Sequence, residues 1–170
     1  QETIRQEPLW KGRLHIAMAP TKNMDRNEWF AEKATEMGID EITFLDCRFS
    51  ERKNIKTDRI EKITVSAMKQ SLKARLPKLN EMIAFDKFIA QEFSGQKFIA
   101  HCYEGEKQEL KSVLLPEEAV ILIGPEGDFS PEEVEKALAK GFIPISLGKS
   151  RLRTETAALS ACFTFSYIQE

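Results

Sequence analysis

The chain has 170 residues, of which 42% are hydrophobic and 31% are charged, so it can form one domain with a substantial apolar core. It contains no signal peptide and no apolar run long enough to cross a membrane, which predicts a cytoplasmic protein. Cys47, Cys102 and Cys162 lie far apart within apolar runs. This pattern predicts buried, reduced thiols and argues against a disulfide framework or a zinc site.

The net charge of −2 conceals an uneven distribution of basic residues. Residues 48–78 contain ten Lys or Arg against three acidic residues, a local charge of +7. Four of these cations fall on one side of a helix wound at 100° per residue: Arg59, Lys62, Lys69 and Lys73. Such a stripe is either an ordinary solvated helix face or a surface that contacts phosphate groups, and the sequence leaves both interpretations open.

Strand and helix signals alternate along the chain. We expect strands over residues 13–20, 41–47, 79–84, 97–102, 119–123 and 142–147, and helices over 25–38, 58–76, 85–93, 131–140 and 154–168. Asp25 with Glu28, and Ser130 with Glu133, occupy capping-box positions at two helix starts. Strands that alternate with helices predict an α/β fold, a mostly parallel sheet covered by helices on both faces.

Two unusual loops follow the last two predicted strands. The first is Gly124-Pro125-Glu126-Gly127, and the second runs over residues 147–157 as LGKSRLRTETA. Open α/β sheets bind ligands outside the carboxyl ends of their strands. Glycines allow a backbone to approach a ligand such as an adenine ring closely. We therefore expect the functional site at these two loops.

Several common activities lack their motifs. The sequence contains no GxGxxG, no GxxxxGK[ST] and no GxSxG, which argues against a conventional dinucleotide fold, a P-loop NTPase and a serine hydrolase. His15 and His101 have no partners at metal-ligand spacing, so no metal site is predicted. His15 is expected to be a core or lining histidine, whereas His101 ends a strand and could line the pocket.

The segments IGPEGDFSPEE and SLGKSRLRTETAAL resemble the signature segments of the bacterial 16S rRNA (uracil-N3) methyltransferases, members of the SPOUT class. Upstream, KATEMG over residues 33–38, Glu51-Arg52 and positions between 67 and 77 are similar in the same order, so the resemblance covers about residues 13–168. Two positions depart from the pattern. Asp128 stands where a second glycine is usual, and Lys73 stands where the family usually has Arg.

The resemblance implies a C-terminal deep trefoil knot, S-adenosylmethionine as the cofactor, and a homodimer with the active site at its interface. It implies that residues 1–12 lead in from a missing N-terminal barrel domain and that residues 13–170 form the knotted methyltransferase domain. The implied partner is 16S rRNA or the small ribosomal subunit, with no membrane and no metal. Cofactor binding is expected at His101, Ile123, Gly124, Pro125, Glu126, Gly127, Leu147, Gly148, Leu152, Thr154, Thr156 and Ala157.

We expect catalysis by Arg153 and Glu155, and contacts to the RNA backbone by Arg52, Lys69, Lys73 and Arg75. Arg153 would stabilise the negative charge that develops on a uracil oxygen. Glu155 would either take the N3 proton or hold Arg153. Two alternatives remain at this point: a SPOUT enzyme that acts on tRNA or a ribose 2′-hydroxyl, and a non-catalytic RNA-binding module without an adenosyl pocket.

Overall fold

A computed structural model describes residues 10–73 and 75–170 of the chain. Its strands are β1 (Leu14–Met18), β2 (Glu41–Asp46), β3 (Lys78–Leu79), β4 (Ile83–Ala84), β5 (Gln96–Ala100), β6 (Gln108–Glu109), β7 (Ala119–Ile123) and β8 (Ile143–Ser146). They form one sheet in the order β3-β2-β1-β7-β5-β8-β6, with β4 beside β2. Within the described residues every strand pairing is parallel.

Helices cover both faces of this sheet. They are α1 (Met24–Met37), α2 (Thr57–Gln70), α3 (Phe85–Ile89), α4 (Leu110–Val113), α5 (Pro131–Ala139) and α6 (Thr154–Ile168). Successive side chains of a strand point to opposite faces. In β1, Ile16 and Met18 therefore pack with α1 and α6, whereas Ala17 packs with α3 and α5. This arrangement confirms the predicted α/β fold, while the trefoil knot stays a prediction.

The start of α1 differs from the expected capping box. Asn23 is the N-cap, and its side-chain oxygen accepts a hydrogen bond from the Asp25 amide at 2.9 Å. The Glu28 carboxylate pairs instead with Arg59 of α2. The prediction of Asp25 as the cap was wrong because Asn and Asp are both strong caps and only the local backbone decides between them. The predicted end at Gly38 is confirmed by its φ of 100°.

Helix α2 ends six residues before the predicted stop at residue 76. The Ser71 hydroxyl donates to the Ala67 carbonyl at 2.7 Å, and Leu72 takes a left-handed φ of 57°. The Lys73 amide then donates to the Met68 carbonyl at 2.9 Å, a closure usually built around glycine. Lys73 therefore lies outside the helix, and the predicted four-residue cationic stripe is interrupted.

Trp10, which falls within the predicted lead-in segment, packs into the core. Its ring meets Phe165 edge to face with centroids 5.0 Å apart, and its indole nitrogen donates to Asp40 Oδ2 at 3.0 Å. The same carboxylate oxygen accepts from the Leu14 amide at 2.7 Å. Trp10 thereby joins the start of β1 to α6. The rest of the predicted lead-in before residue 10 lies outside the described residues.

Two of the three cysteines are buried, as predicted, and the third is not. Burial raises the pKa of the Cys47 thiol, and it raises that of Cys162 to about 12. Cys102 is exposed because it lies in the loop that leaves the carboxyl end of β5. In the part of the chain that the structure describes, no helix is long and apolar enough to span a bilayer.

The capping box predicted at α5 is present. The Ser130 hydroxyl accepts from the Glu133 amide at 3.1 Å, and Glu133 Oε1 accepts from the Ser130 amide at 2.8 Å. The second carboxylate oxygen of Glu133 accepts from the Arg48 amide at 3.1 Å. One buried side chain thus caps α5 and fastens the loop after β2 to it.

We expect Ser130→Ala to lower the free energy of unfolding by about 1 kcal/mol, because the buried Glu133 amide loses its acceptor. Urea denaturation followed by circular dichroism measures the change. Ser66→Ala, on the exposed surface of α2, is the matched control and should be neutral or slightly stabilising, since alanine favours helices. Equal unfolding midpoints for the two variants would contradict this role of Ser130.

Candidate functional site

A cavity of about 660 Å³ opens at the carboxyl ends of β5, β7 and β8. These strands are neighbours in the sheet and end at nearly the same level: Ala100 lies opposite Ile123, the last residue of β7, and opposite Ile145, the penultimate residue of β8. Parallel pairing therefore delivers the two glycine-containing loops and the loop after β5 to one place. The volume is within the range of about 300–1,000 Å³ typical of small-molecule and cofactor sites.

Ten of the twelve predicted cofactor-binding residues line this cavity: His101, Ile123, Gly124, Pro125, Glu126, Leu147, Gly148, Leu152, Thr154 and Ala157. The other two lie outside it. A Cβ added to Gly127 would be 3.3 Å from the Cβ of Phe49, so this glycine faces the loop after β2. Thr156 is exposed on α6. A direct cofactor contact by any of the twelve stays a prediction.

Nine further residues line the cavity that are not among the predicted cofactor-binding or catalytic residues: Ala100, Cys102, Lys107, Asp128, Ile145, Ser146, Lys149, Ser150 and Arg151. Lys149, Ser150 and Arg151 lie inside the second predicted loop, and most of the others flank predicted residues, so extending each motif by two positions would have found them. Lys107 is different, since it lies in a loop without a recognisable motif. Only the folded chain brings it to the site.

Gly124 and Gly148 are required for different reasons. A Cβ on Gly124 would lie 3.0 Å from both the ring and the amide nitrogen of Phe129, which leaves too little room for a side chain. Gly148 has a φ of 130°, and a Cβ there would meet no protein atom within 4 Å. Its backbone faces open space, so a ligand can approach it closely.

The two signature loops are joined by one side-chain hydrogen bond. Thr154, the first residue of α6, donates from its hydroxyl to the Gly124 carbonyl at 2.9 Å. Thr154 is only 5% exposed. Without this donor the Gly124 carbonyl would have to find another partner beside the cavity. The bond fixes the start of α6 relative to the end of β7.

His101 contributes a half-buried imidazole to the cavity wall. Burial lowers its pKa, the charge of Lys107 lowers it further, and Asp128 partly opposes both effects. Its Nδ1 atom has no hydrogen-bond partner among the described residues. The neutral ring can donate from one nitrogen and accept at the other. The described residues therefore leave one ring nitrogen of His101 without a hydrogen-bond partner.

The two predicted catalytic residues differ in their exposure and in their neighbours. Arg153 is exposed at the cavity wall, and no partner of its guanidinium occurs in the described ranges. Glu155 is 6% exposed and faces α1, where its Oε1 lies 3.8 Å from Arg26 Nε. Its Oε2 has no partner among the described residues. The structure thus places Glu155 beside Arg26 instead of beside Arg153.

The four predicted RNA-binding cations also divide into two kinds. Arg52 donates to the Thr21 carbonyl at 3.1 Å and to the Lys22 carbonyl at 2.7 Å, so its guanidinium already stabilises the loop after β1. The Lys22 amide in turn donates to Glu126 Oε1 at 3.0 Å at the cavity. The other three predicted cations lie in or after the last turn of α2. Lys69 and Arg75 are exposed, and Lys73 is half-buried.

A second cavity, of about 390 Å³, lies at the opposite, amino end of the sheet. Its polar side chains bond to one another: His15 Nε2 lies 2.7 Å from Thr43 Oγ1, and Arg13 donates to Glu41 at 2.7 Å. Burial lowers the pKa of His15 to about 4, so this imidazole is neutral near pH 7. His15 is 8% exposed and lines this cavity, which confirms the prediction of a core or lining histidine.

Comparison with known proteins identifies the class to which this fold and site belong. A family model described as an RNA methyltransferase domain matches residues 8–166. The chain belongs to this family of RNA methyltransferase domains. Within it, the chain falls in the group of the ribosomal RNA small subunit methyltransferases E, since it is 33% identical to that protein of Mesomycoplasma hyopneumoniae over 159 residues. This confirms the resemblance seen in the sequence.

Solved structures agree with this assignment. A protein of Porphyromonas gingivalis described as a probable rRNA methyltransferase is 46% identical, with a TM-score of 0.91 over 97% of this chain and 71% of that one. The ribosomal RNA small subunit methyltransferase E of Neisseria gonorrhoeae, whose structure contains bound S-adenosylmethionine, is 25% identical and has a TM-score of 0.83. That match covers 92% of this chain and 66% of the Neisseria chain. The match with the Mesomycoplasma relative covers 90% of this chain and 68% of the relative. It therefore spans about two thirds of these proteins.

We expect Thr154→Val to weaken S-adenosylmethionine binding about five- to tenfold, because the Gly124 carbonyl loses its donor and the two loops are no longer joined. Thr154→Ser keeps the hydroxyl and should bind almost as the original chain does. Calorimetric titration measures both affinities, and circular dichroism checks that each variant is folded. Equal affinities for folded valine and serine variants would contradict the proposed link between the loops.

Proposed function

We propose that this chain transfers the methyl group of S-adenosylmethionine to N3 of a uridine in 16S rRNA. The observation that carries the proposal is the cavity at the carboxyl edge, where both signature loops and Arg153 meet. The relatives' names support small-subunit rRNA as the substrate and S-adenosylmethionine as the cofactor. The uridine N3 position rests on the signature segments of the sequence.

The residues of the cavity fit S-adenosylmethionine in size and chemistry. Ile123, Leu147 and Leu152 offer apolar surface for an adenine ring. The backbone of Gly148 is open to a ligand, and Nδ1 of His101 has no partner in the part of the chain that the structure describes. The bound cofactor would supply an activated methyl group with its own leaving group. The protein is then required mainly to align the methyl donor with the base.

Arg153 is the residue we assign to the reacting uracil. N3–H of uracil is a weak acid, so its proton must leave before or during methyl transfer. A fixed cation beside O2 or O4 stabilises the negative charge that develops there. Arg153 lines the cavity without a partner in the described part of the chain, so its guanidinium is available for this contact. Glu155, buried against Arg26, is better placed to fix the α1–α6 packing than to take the proton.

The RNA backbone would be held by the surface cations that follow the start of α2. Lys69, Lys73 and Arg75 remain candidates for direct phosphate contact. Arg52 would act mainly through the Lys22 loop, since its guanidinium donates to two carbonyls there. Phosphate contacts position a nucleic acid without selecting its sequence. Selection of one uridine would then depend on the cavity shape and the fold of the rRNA.

We also propose that the chain acts in the cytoplasm as a homodimer. Phe163 and Tyr167 are 58% and 66% exposed on α6, and their rings stack with centroids 6.5 Å apart. Exposed aromatic clusters of this kind are typical of protein interfaces. A second copy that covers α6 would bury the aromatic pair next to the α1–α6 contact.

We expect Arg153→Ala to bind S-adenosylmethionine within about threefold of the original chain and to methylate small-subunit rRNA about 10²–10³-fold more slowly, the usual cost of losing one stabilising group in a transition state. Arg151→Ala, which removes the same charge two residues away, is the matched control and should lose far less activity. Calorimetry measures binding, and mass spectrometry of digested rRNA identifies the methylated nucleoside.

Other outcomes of that experiment would contradict the proposal. A folded chain that does not bind S-adenosylmethionine would favour a non-catalytic RNA-binding module. Methylation of bulk tRNA but not of small-subunit rRNA, or a 2′-O-methylated product, would indicate a different acceptor. Equal losses of rate for the Arg151 and Arg153 variants would show that general charge matters and that Arg153 has no special position.

We expect Phe163→Glu to convert the dimer into a folded monomer, because a carboxylate placed in an apolar interface is not solvated there. Sedimentation velocity of the original chain and the variant measures the change. Leu115→Glu is the control, since Leu115 is 53% exposed in the loop after α4; it should leave the dimer intact. A monomeric original chain, or a Phe163→Glu variant that stays dimeric, would contradict this interface.

A further inference from the structure

Asp128 has an unusual backbone for a residue with a side chain. Its φ is 69°, and Leu72 is the other non-glycine residue with positive φ among those described. The left-handed region favours glycine, and Asp and Asn enter it more readily than most residues. The sequence resemblance places a glycine at this position. Some contact of the carboxylate must therefore offset the conformational cost of Asp128.

The Asp128 carboxylate connects the two loops on either side of the cavity. Oδ2 accepts a hydrogen bond from the Cys102 amide at 2.9 Å, directly after β5. Oδ1 accepts from the Phe129 amide at 2.7 Å, within its own loop. The Asp128 amide donates to the Pro125 carbonyl at 2.8 Å, which closes the turn after β7. A glycine would keep this turn but would supply neither acceptor.

A second contact supports the same connection. The Tyr103 hydroxyl donates to the Phe129 carbonyl at 2.7 Å. On the other side of the loop, the Lys107 ammonium donates to the His101 carbonyl at 2.9 Å. The segment over residues 101–107 is thus held at its start by the turn after β7 and folded back on itself by Lys107. His101, Cys102 and Lys107 of this segment all line the cavity.

We propose that Asp128 is a positioning residue for the cofactor, whose carboxylate holds the 101–107 segment against the loop after β7 so that this wall of the cavity is formed before the ligand binds. This inference rests on the proposed function for the identity of the ligand. A wall that is already ordered lowers the conformational entropy lost on binding. Asp128 acts through the Cys102 amide and not by contact with the reacting atoms.

Three variants separate this role from a purely local one. Asp128→Gly keeps the left-handed turn and removes both acceptors. Asp128→Asn retains one side-chain carbonyl oxygen and tolerates the same φ, so it can replace at most one of the two hydrogen bonds. Tyr103→Phe removes the second contact without changing Asp128. Leu72→Gly is the matched control, because it places glycine at the other left-handed position among the described residues, just after the end of α2.

The first readout is hydrogen exchange of the Cys102 amide in the cofactor-free chain. Asp128→Gly should speed this exchange about tenfold or more, because the amide loses its acceptor. Tyr103→Phe should speed it less, and Leu72→Gly should leave it unchanged. Unaltered exchange in the Asp128→Gly variant would overturn the proposal, whatever the cofactor proves to be.

The second readout separates binding from chemistry. Asp128→Gly should raise KM and Kd for S-adenosylmethionine about five- to tenfold and change kcat on small-subunit rRNA by less than about threefold, with partial recovery in Asp128→Asn. Unchanged affinity in Asp128→Gly, while the original chain binds the cofactor, would overturn this inference alone. Failure of the original chain to bind S-adenosylmethionine would instead defeat the proposed function.

Discussion

The register of the parallel strands is the constraint on which the site depends. Ala100, Ile123 and Ile145 lie side by side at the carboxyl edge, so three loops that are distant in the chain leave the sheet at the same level. The hydrogen bond from Thr154 to the Gly124 carbonyl then fixes α6 to the end of β7. Since a one-residue slip in a strand turns its side chains to the opposite face, the cavity would not survive a change of register.

Some basic residues of the 48–78 segment form contacts within the protein, and others are free to contact a partner at the surface. Arg52, Lys53 and Arg59 are engaged by the Lys22 carbonyl, by Asp46 and by Glu28 respectively. These contacts order the loops and helices around the site. Exposed cations without such a contact among the described residues, such as Lys69 and Arg75, remain available to an anionic partner. A count of charges in the sequence therefore overstates the charge that this surface presents to RNA.

The sequence predicted the start of α5 well because it carries side chains that act locally. Ser130 and Glu133 cap α5 through neighbouring amides, so the pattern alone contains the answer. The end of α2 could not be predicted in the same way. There Leu72 adopts a left-handed conformation that is costly for its side chain, and the residue pattern does not signal it. The exposure of Cys102 was also missed, because β5 ends at Ala100 and does not reach the predicted end of the strand.

The sequence by itself determined the α/β fold, the family and the two loops that form the cavity, because strand periodicity and short glycine-containing motifs are local properties of the chain. Only the tertiary structure decided which side chains share an environment. It placed Glu155 beside Arg26, turned Gly127 toward Phe49, and joined Asp128 to the Cys102 amide. The physical reason is that each of these contacts links segments more than twenty residues apart. Their meeting depends on the whole sheet and the helices packed on it.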